Sequence, residues 1–318
     1  MTRMRRAFCV GIDDYVGAPL SGCVKDATEI ARLLTTHYDN APNFDVKLLT
    51  APPESVTKSV LRESIISLFR EPAEIALLYV SGHGTENNLG GYYVTQDAQN
   101  YDEGVSLVEV LTIANNSPAT EVIILIDCCH SGALGQLPAI DNDKAVLRQG
   151  ISILTASRSS EVAIERGGMG LFTSLLAGAL EGGAADTIGN VTVAAAYSYI
   201  DESLGAWDQR PLFKAHVISM VALRRTKPAI DVLILRRLPE WFTAPDAELP
   251  LDPSYEPDAE PQNEENQGTF SSLQKCRAAK LVEPVDEEHM YYAAMRSKAC
   301  RLTPLGAHYW RLANEGRI

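Results

Sequence analysis

Two short segments of the sequence carry the residue types of a nucleophile and its base. The segment Ala76–Gly84 is an apolar run that ends in Ser-Gly-His-Gly, and Val122–Gly132 is an apolar run that ends in Asp-Cys-Cys-His-Ser-Gly. A cysteine thiol becomes a strong nucleophile when it is ionised, and a neighbouring imidazole can take its proton. The two segments therefore predict a thiol hydrolase in which His83 and a cysteine of the second segment act together.

The elements that must position these residues are two strands of a parallel sheet. Apolar, β-branched runs of this length are typical of strands buried on both faces, and each run ends at a small-residue turn. Strands alternate with helices up to about residue 225, which predicts an α/β fold with helices on both faces of the sheet. Because functional groups collect at the carboxyl ends of such strands, we expect His83 to stand beside a cysteine of the second turn.

The two turns together closely resemble those of metacaspases and bacterial caspase-like cysteine proteases. In that family's Asp-x-Cys-His-Ser-Gly pattern the third residue is the nucleophile, which is Cys129 here, and the family's base corresponds to His83. The resemblance implies a caspase-like, mostly parallel six-stranded sheet and a Cys-His dyad that needs no metal or other cofactor. It covers about residues 5–225, with further matches at Val10–Ile12, Leu20–Ala27, Leu154–Ser157, Gly170–Thr173 and Gln209–Pro211.

The resemblance also implies roles for residues around this dyad. The backbone N–H groups of Gly84 and Cys129 are expected to form the oxyanion hole. Asp26 and Asp127 fall where the family places the acidic groups of its specificity pocket, and a carboxylate pair selects Arg or Lys. The alternative is structural, with Asp26 capping a helix and Asp127 bracing the turn. Two further residues expected to line the substrate cleft are Ser157 and Glu161.

The neighbours of Cys129 have competing interpretations. Cys128 could be a second nucleophile, but alternation along a strand end directs it away from Cys129 and favours a buried structural thiol. The same alternation favours a turn-stabilising role for His130 over a role as base. These residues lack zinc-ligand spacing, so we predict no metal site. Some relatives are activated by calcium; three acidic residues that could bind it, or could simply be solvated, are Asp97, Asp102 and Glu103, without an EF-hand pattern.

The polar segment 137–150 corresponds in the family to a linker between two subunits, which some members cut during activation. Lys144 and Arg148 match the expected specificity for basic residues, which makes them candidate self-cleavage sites. An uncut surface loop is the other interpretation of this segment, and the sequence leaves both open.

Composition divides the chain into three parts. Residues 1–230 hold the catalytic pattern and form the expected peptidase domain. Residues 231–268 are predicted to be an acidic, Pro-rich linker that is extended or disordered, since residues 241–266 hold eight acidic side chains, five prolines and no Lys or Arg. Residues 269–318 regain apolar spacing, and Leu-Thr-Pro-Leu-Gly before an aromatic helix resembles the end of a winged-helix module. We expect this small helical or winged-helix-like module to bind a regulatory protein, because Tyr and Trp suit contact surfaces.

Composition also argues against several classes of protein. No apolar run reaches the roughly 18 residues of a membrane span, and we find no signal peptide. The six cysteines show no disulfide framework, which suits a reduced cytoplasm. The net charge of −13 counts against nucleic-acid binding.

The resemblance thus implies a cytoplasmic endopeptidase that cuts protein substrates after Arg or Lys. We expect it to be latent, activated by a partner or by self-processing, in a prokaryotic defence or cell-death pathway. One alternative is a catalytically silent adaptor with the same fold. The other is a DNA-binding regulator that acts through the C-terminal module.

Overall fold

The structure is a computed structural model of the 318-residue chain. It describes residues 4–87, 90–129, 147–156, 168–204, 211–258 and 262–318. For Cys129 it describes the backbone and not the side chain. The chain divides into two compact units, Met1–Ala185 with Asn190–Lys227 and Asp186–Gly189 with Pro228–Ile318. No helix in the described segments combines the length and the apolar character that a membrane crossing requires.

The first unit alternates strands and helices, as the sequence predicts. Its strands are β1 (Arg5–Ile12), β2 (Asp45–Ala51), β3 (Ile75–Asn87), β4 (Gly90–Gln99), β5 (Asp102–Ser106), β6 (Glu121–Cys129), β7 (Ile151–Thr155), β8 (Asn190–Thr192), β9 (Leu212–His216) and β10 (Ala222–Arg225). Its helices are α1 (Cys23–Thr35), α2 (Lys58–Arg70), α3 (Leu107–Asn115), α4 (Leu171–Gly178), which continues into a π-helical turn at Ala179–Gly183, and α5 (Val193–Ser203).

A six-stranded sheet in the order β2-β1-β3-β6-β7-β9 forms the centre of this unit. The first five strands are parallel, and β9 runs antiparallel to β7. Successive residues of a strand point to opposite faces. Phe8 and Val10 of β1 accordingly pack into a core with α2 and α3, while Ala7 and Cys9 pack into a second core with α1, α4 and α5. This arrangement confirms the predicted mostly parallel sheet with helices on both faces.

The structure differs from the sequence prediction at the end of β3. The strand does not stop in a turn at Ser81–Gly84 but continues to Asn87 and pairs antiparallel with β4, which in turn pairs with β5. These three strands therefore form an antiparallel extension of the main sheet. The glycines of the segment suggested a turn, but glycine also occurs in strands where another group approaches the backbone closely.

The second unit has its own elements and core. It contains α6 (Val232–Leu235), α7 (Leu238–Trp241), β11 (Glu248–Pro250), a 3₁₀ turn at Pro253–Tyr255, α8 (Glu264–Ala278), β12 (Val282–Pro284), α9 (Met290–Met295), β13 (Ala299–Leu302) and α10 (Pro304–Asn314). The strands form an antiparallel sheet in the order β11-β13-β12. The winged-helix-like character of 269–318 stays a prediction.

Residues 231–258 are folded, which differs from the predicted extended linker over 231–268. Leu235, Leu238 and Phe242 are fully buried and share a core with Phe270 of α8. The indole N–H of Trp310 also donates to the carbonyl of Phe242 at 2.7 Å. Acidic residues and prolines dominate the composition of this segment, so composition alone predicts a linker. The few apolar side chains that anchor the segment in the core do not change that prediction.

Two leucines on α6 provide a matched test of this folded segment. Leu235 is fully buried, whereas Leu233 is 64% exposed. We expect Leu235→Ala to lower the free energy of unfolding of the second unit by about 2–5 kcal/mol, because the deletion leaves a cavity. Leu233→Ala should change it by no more than about 0.5 kcal/mol. Urea unfolding of both variants checks this, and equal, negligible effects would show that the segment is outside the core.

His37 makes the first unit sensitive to acid. The side chain is 7% exposed, and its Nδ1 accepts the backbone N–H of Arg225 at 3.1 Å. Burial lowers the pKa of His37 from 6.5 to about 4, with the nearby charges of Arg225 and Arg5 adding to the shift and Asp39 opposing it. Between these pH values the unfolded chain binds more protons than the folded chain, so stability falls as the pH falls.

The expected loss from this histidine is about 2 kcal/mol between pH 7 and pH 5. His37→Asn is the control, because its amide oxygen can still accept from Arg225 while the side chain does not titrate. Urea unfolding at the two pH values should show the larger loss in the wild type. An equal loss in both proteins would contradict the assignment.

Candidate active site

The sheet brings the two predicted catalytic positions together. In the parallel pairing of β3 with β6, Ser81 lies opposite Asp127, Gly82 opposite Cys128 and His83 opposite Cys129. Neighbouring strands lie about 4.8 Å apart, so the backbones of His83 and Cys129 are direct neighbours. The thiol position of Cys129 is outside the described residues, and the dyad therefore stays a prediction at the level of side chains.

The imidazole of His83 is fixed by the loop that follows β1. Its Nε2 lies 2.8 Å from the carbonyl oxygen of Ala18, which can only accept, so Nε2 carries the proton. Nδ1 is then the basic nitrogen. It is shielded from solvent and has no hydrogen-bond partner among the described residues. The His83 ring also packs against Tyr15, with ring centroids 4.7 Å apart, and this contact holds its plane.

Two buried tyrosines set the path of β3 beside His83. The hydroxyl of Tyr15 accepts the backbone N–H of His83 at 3.1 Å, and the hydroxyl of Tyr93 donates to the carbonyl of Ser81 at 2.8 Å. Burial raises the pKa of both tyrosines, so both stay protonated. A Cβ on Gly82 would lie 2.5 Å from one hydroxyl and 2.7 Å from the other. Any larger residue would require both tyrosines to shift, because their hydroxyls occupy the space that a side chain needs.

The predicted pocket carboxylates are both buried near this end of the sheet. Asp26, which is 2% exposed, accepts from the hydroxyl of Ser81 at 2.9 Å and from the backbone N–H of Gly170 at 3.0 Å. Asp127 is fully buried and accepts from the hydroxyl of Thr173 at 2.6 Å. The structure thus links both aspartates to α4 or to the residue before it. Their role in substrate selection stays a prediction.

The N-terminus of α1, the helix that contains Asp26, is capped by Asp13. The carboxylate of Asp13 accepts the backbone N–H groups of the residues that open α1, at 3.0 Å from Gly22, 2.8 Å from Cys23 and 3.3 Å from Val24. Asp13 therefore satisfies the free donors of that terminus. Sequence patterns do not predict this role, because Asp13 lies nine to eleven positions before the groups it caps, outside the usual capping spacing.

Three further predicted residues, Gly84, Cys128 and Arg148, lie in the described part of the chain. Gly84 continues β3 directly after His83 and lies opposite Tyr93 of β4. Cys128 is 5% exposed and belongs to the core that α2 and α3 cover. Arg148 is anchored, since its guanidinium donates to the carbonyls of Ala119 and Gln149 at 2.7 and 2.6 Å. The predicted residues that lie outside the described part of the chain are His130, Lys144, Ser157 and Glu161.

The acidic residues considered for calcium are each engaged with the protein. Asp97 accepts from Thr95 and from the backbone of Lys58, and Asp102 forms an ion pair with Lys58 at 2.5 Å. Glu103 accepts from the amide of Asn87 at 3.1 Å. No group of three His, Cys, Asp or Glu side chains within the described ranges could hold a metal ion.

The fold and the paired strand ends define a protein of the caspase class. The sequence model of the caspase domain matches residues 4–219, about two thirds of the chain, and the chain belongs to that family. The resemblance to metacaspases is thereby confirmed. A crystal structure of a Geobacter sulfurreducens protein supports the fold, with a TM-score of 0.51 at 16% identity over 71% of this chain and 98% of that one.

Curated relatives include fungal metacaspases. Metacaspase-1 of Candida glabrata is 27% identical over 170 residues, which is 47% of this chain and 42% of that protein. Metacaspase-1 of Scheffersomyces stipitis is 24% identical over 199 residues, or 55% and 48% of the two chains. Metacaspase-1A of Neurospora crassa is 25% identical over 168 residues, or 46% and 36%. The matched region spans about half or less of each relative.

The close approach at Gly82 generates a prediction for the site. Gly82→Ala should lower the free energy of unfolding by about 1–3 kcal/mol, because the added methyl overlaps the hydroxyls of Tyr15 and Tyr93. In a Tyr15→Phe, Tyr93→Phe background, which lacks both overlapping atoms, the same substitution at Gly82 should cost less. Thermal or urea unfolding measures the effect. The control is Gly268→Ala on α8, where a Cβ meets nothing within 4 Å; an equal effect at both glycines would contradict the steric explanation.

Proposed function

We propose that this chain is a cysteine endopeptidase in which Cys129 is the nucleophile and His83 is the general base. The observation that carries the proposal is the register of β3 and β6, which pairs these two residues at the end of the parallel sheet. Membership of the caspase-domain family supports the same chemistry, since the matched segment contains both residues.

In the proposed reaction, Nδ1 of His83 takes the thiol proton of Cys129, and the thiolate attacks the carbonyl carbon of the scissile peptide bond. The bond from Nε2 to the carbonyl of Ala18 supports this assignment, because it leaves Nδ1 as the basic nitrogen. Backbone N–H groups of Gly84 and Cys129 would stabilise the oxyanion. The imidazolium then protonates the leaving amine, and water hydrolyses the thioester to regenerate the thiol. The reaction uses no metal or other cofactor.

The proposed specificity is cleavage after Arg or Lys, with Asp26 and Asp127 selecting the basic side chain. Two buried carboxylates near the catalytic strand ends favour a cationic group by charge. A guanidinium would share these oxygens with the donors already bound to them, which include the hydroxyls of Ser81 and Thr173.

We further propose that the peptidase is latent in the cytoplasm and acts in a prokaryotic defence or cell-death pathway. A protease that cuts after basic residues would damage its own cell if it were always active. Residues 269–318 would bind the regulatory protein, and α9 supports this with three large side chains that are 41–49% exposed, Tyr291, Tyr292 and Met295. Self-cleavage in 137–150 is the second proposed route, although cleavage after Arg148 would require release of its two carbonyl contacts.

Cleavage of short fluorogenic peptides tests the proposed chemistry and specificity together. We expect release of the fluorophore from peptides ending in Arg or Lys and not from those ending in Asp. Cys129→Ala should abolish it, and His83→Asn should lower kcat by about 10²–10⁴-fold through loss of proton transfer. Each variant is compared with the wild type by circular dichroism, which controls for misfolding.

The possible outcomes separate the proposal from its rivals. Cleavage after Asp that depends on Cys129 would retain the peptidase and overturn the specificity pocket. Absence of Cys129-dependent cleavage, with calcium present or absent and with the loop 137–150 cut by an added protease, would overturn activation by self-processing and favour either an adaptor or activation by the partner alone.

A further inference from the structure

A cavity of about 370 Å³ lies beside His83, between the loop after β1 and the antiparallel extension formed by β3, β4 and β5. Tyr15 and Ala18 line it from the loop, and Thr95, Gln96 and Glu103 are among the residues that line it from the extension. None of the described residues of β6 lines it. In the sheet β3 lies between β1 and β6, so the cavity and the strand of Cys129 lie on opposite sides of His83.

The walls of this cavity are held together by hydrogen bonds. The amide of Gln96 donates to the carbonyl of Asp14 at 2.7 Å, and its oxygen accepts the backbone N–H of Val56 at 2.7 Å. The hydroxyl of Tyr15 donates to the carbonyl of Val94 at 3.3 Å. These contacts connect β4 to the loop after β1 and to the residues before α2. The cavity is therefore formed before any ligand enters.

The position of this cavity identifies the part of a substrate that would reach it. The thiolate attacks the carbonyl carbon from the side of Cys129, whereas the imidazole must reach the leaving nitrogen in order to protonate it. The residue that follows the scissile bond carries that nitrogen. Its side chain therefore lies nearest to His83 and away from β6, where the cavity opens.

The charge of the cavity indicates which side chains would fit. Among the described residues that line it, Glu103 is the single carboxylate, and no Lys or Arg is present. One oxygen of Glu103 accepts from the amide of Asn87 at 3.1 Å, and a carboxylate can accept further bonds. The remaining polar groups include the hydroxyl of Thr95 and the side chain of Gln99. A long cationic side chain satisfies both the charge and these polar groups.

We infer that this cavity is the binding site for the side chain that follows the scissile bond, and that Glu103 makes it prefer Lys or Arg there. The inference rests on the proposed peptidase function. It adds a second basic position to the substrate, so that a dibasic sequence would be cut between its two basic residues. Asp26 and Asp127 would select the first of them and Glu103 the second.

Quenched fluorescent peptides with Arg before the scissile bond and Lys, Ala or Asp after it test this inference. We expect the wild type to cleave the Lys peptide with a kcat/KM about 5-fold above that of the Ala peptide, the upper range for a half-exposed ion pair. Glu103→Gln should bring this ratio close to one. Glu103→Lys should reverse the preference toward the Asp peptide. Glu86→Gln is the matched control, because Glu86 lies in the same extension of β3 outside the cavity lining, and it should leave the ratio unchanged.

The outcomes distinguish a failure of the inferred cavity site from a failure of the proposed peptidase function. Suppose that cleavage depends on Cys129 but the Lys-to-Ala ratio of kcat/KM is the same in wild type and Glu103→Gln. This result would overturn the binding site inferred for the side chain after the scissile bond and leave the peptidase function intact. A preference that Glu86→Gln reduces as much as Glu103→Gln would also overturn it, because the effect would then come from the overall charge of the extension. Absence of any Cys129-dependent cleavage would overturn both proposals.

Discussion

The site depends on one strand that takes part in two kinds of pairing. The buried apolar residues of β3 pair in parallel with β1 and β6, and from Gly84 onward the strand pairs antiparallel with β4. Its pairing with β1 ends where Gly11 meets Ser81, whereas its pairing with β6 continues to His83. At His83 the strand has therefore lost one neighbour. The hydroxyl of Tyr15 takes over as the acceptor for the backbone N–H of His83, which satisfies a donor that burial would otherwise leave unpaired.

Because the Tyr15 hydroxyl replaces a neighbouring strand as the hydrogen-bond acceptor, the surrounding sequence must meet several requirements. Tyr15 must lie in the loop directly after β1, and Gly82 must lack a side chain so that the ring can approach. The loop can then return along the same side of β3 and place the carbonyl of Ala18 against the imidazole. Asp13 completes the arrangement, because its carboxylate binds the first N–H groups of α1 and fixes where the loop ends. The position of the His83 imidazole thus depends on the end of a neighbouring strand.

Much of this fold could be predicted from the sequence, because strands buried on both faces leave an unbroken apolar pattern. The neighbouring ends of β3 and β6 follow from that pattern and from the rule that parallel strands align their carboxyl ends. The continuation of β3 past Gly84 could not be predicted. Glycine in a sequence usually indicates a turn, and the tyrosine hydroxyls that crowd Gly82 are known only from the structure.

The folded state of residues 231–258 could not be predicted for a different reason. A few buried apolar residues, including Leu235 and Phe242, decide the structure of a segment whose composition is mostly acidic and Pro-rich.

The imidazole of His83 is hydrogen-bonded to a backbone carbonyl, that of Ala18. A carboxylate in that position would hold a full negative charge beside the ring and raise the basicity of the imidazole strongly. The carbonyl of Ala18 fixes the same tautomer with only a partial charge. A free cysteine thiol has a pKa of about 8.5, so in the proposed dyad a neutral imidazole can take its proton without an added carboxylate. In the proposed dyad, a cysteine at position 129 is therefore consistent with a backbone carbonyl, and not a carboxylate, behind His83.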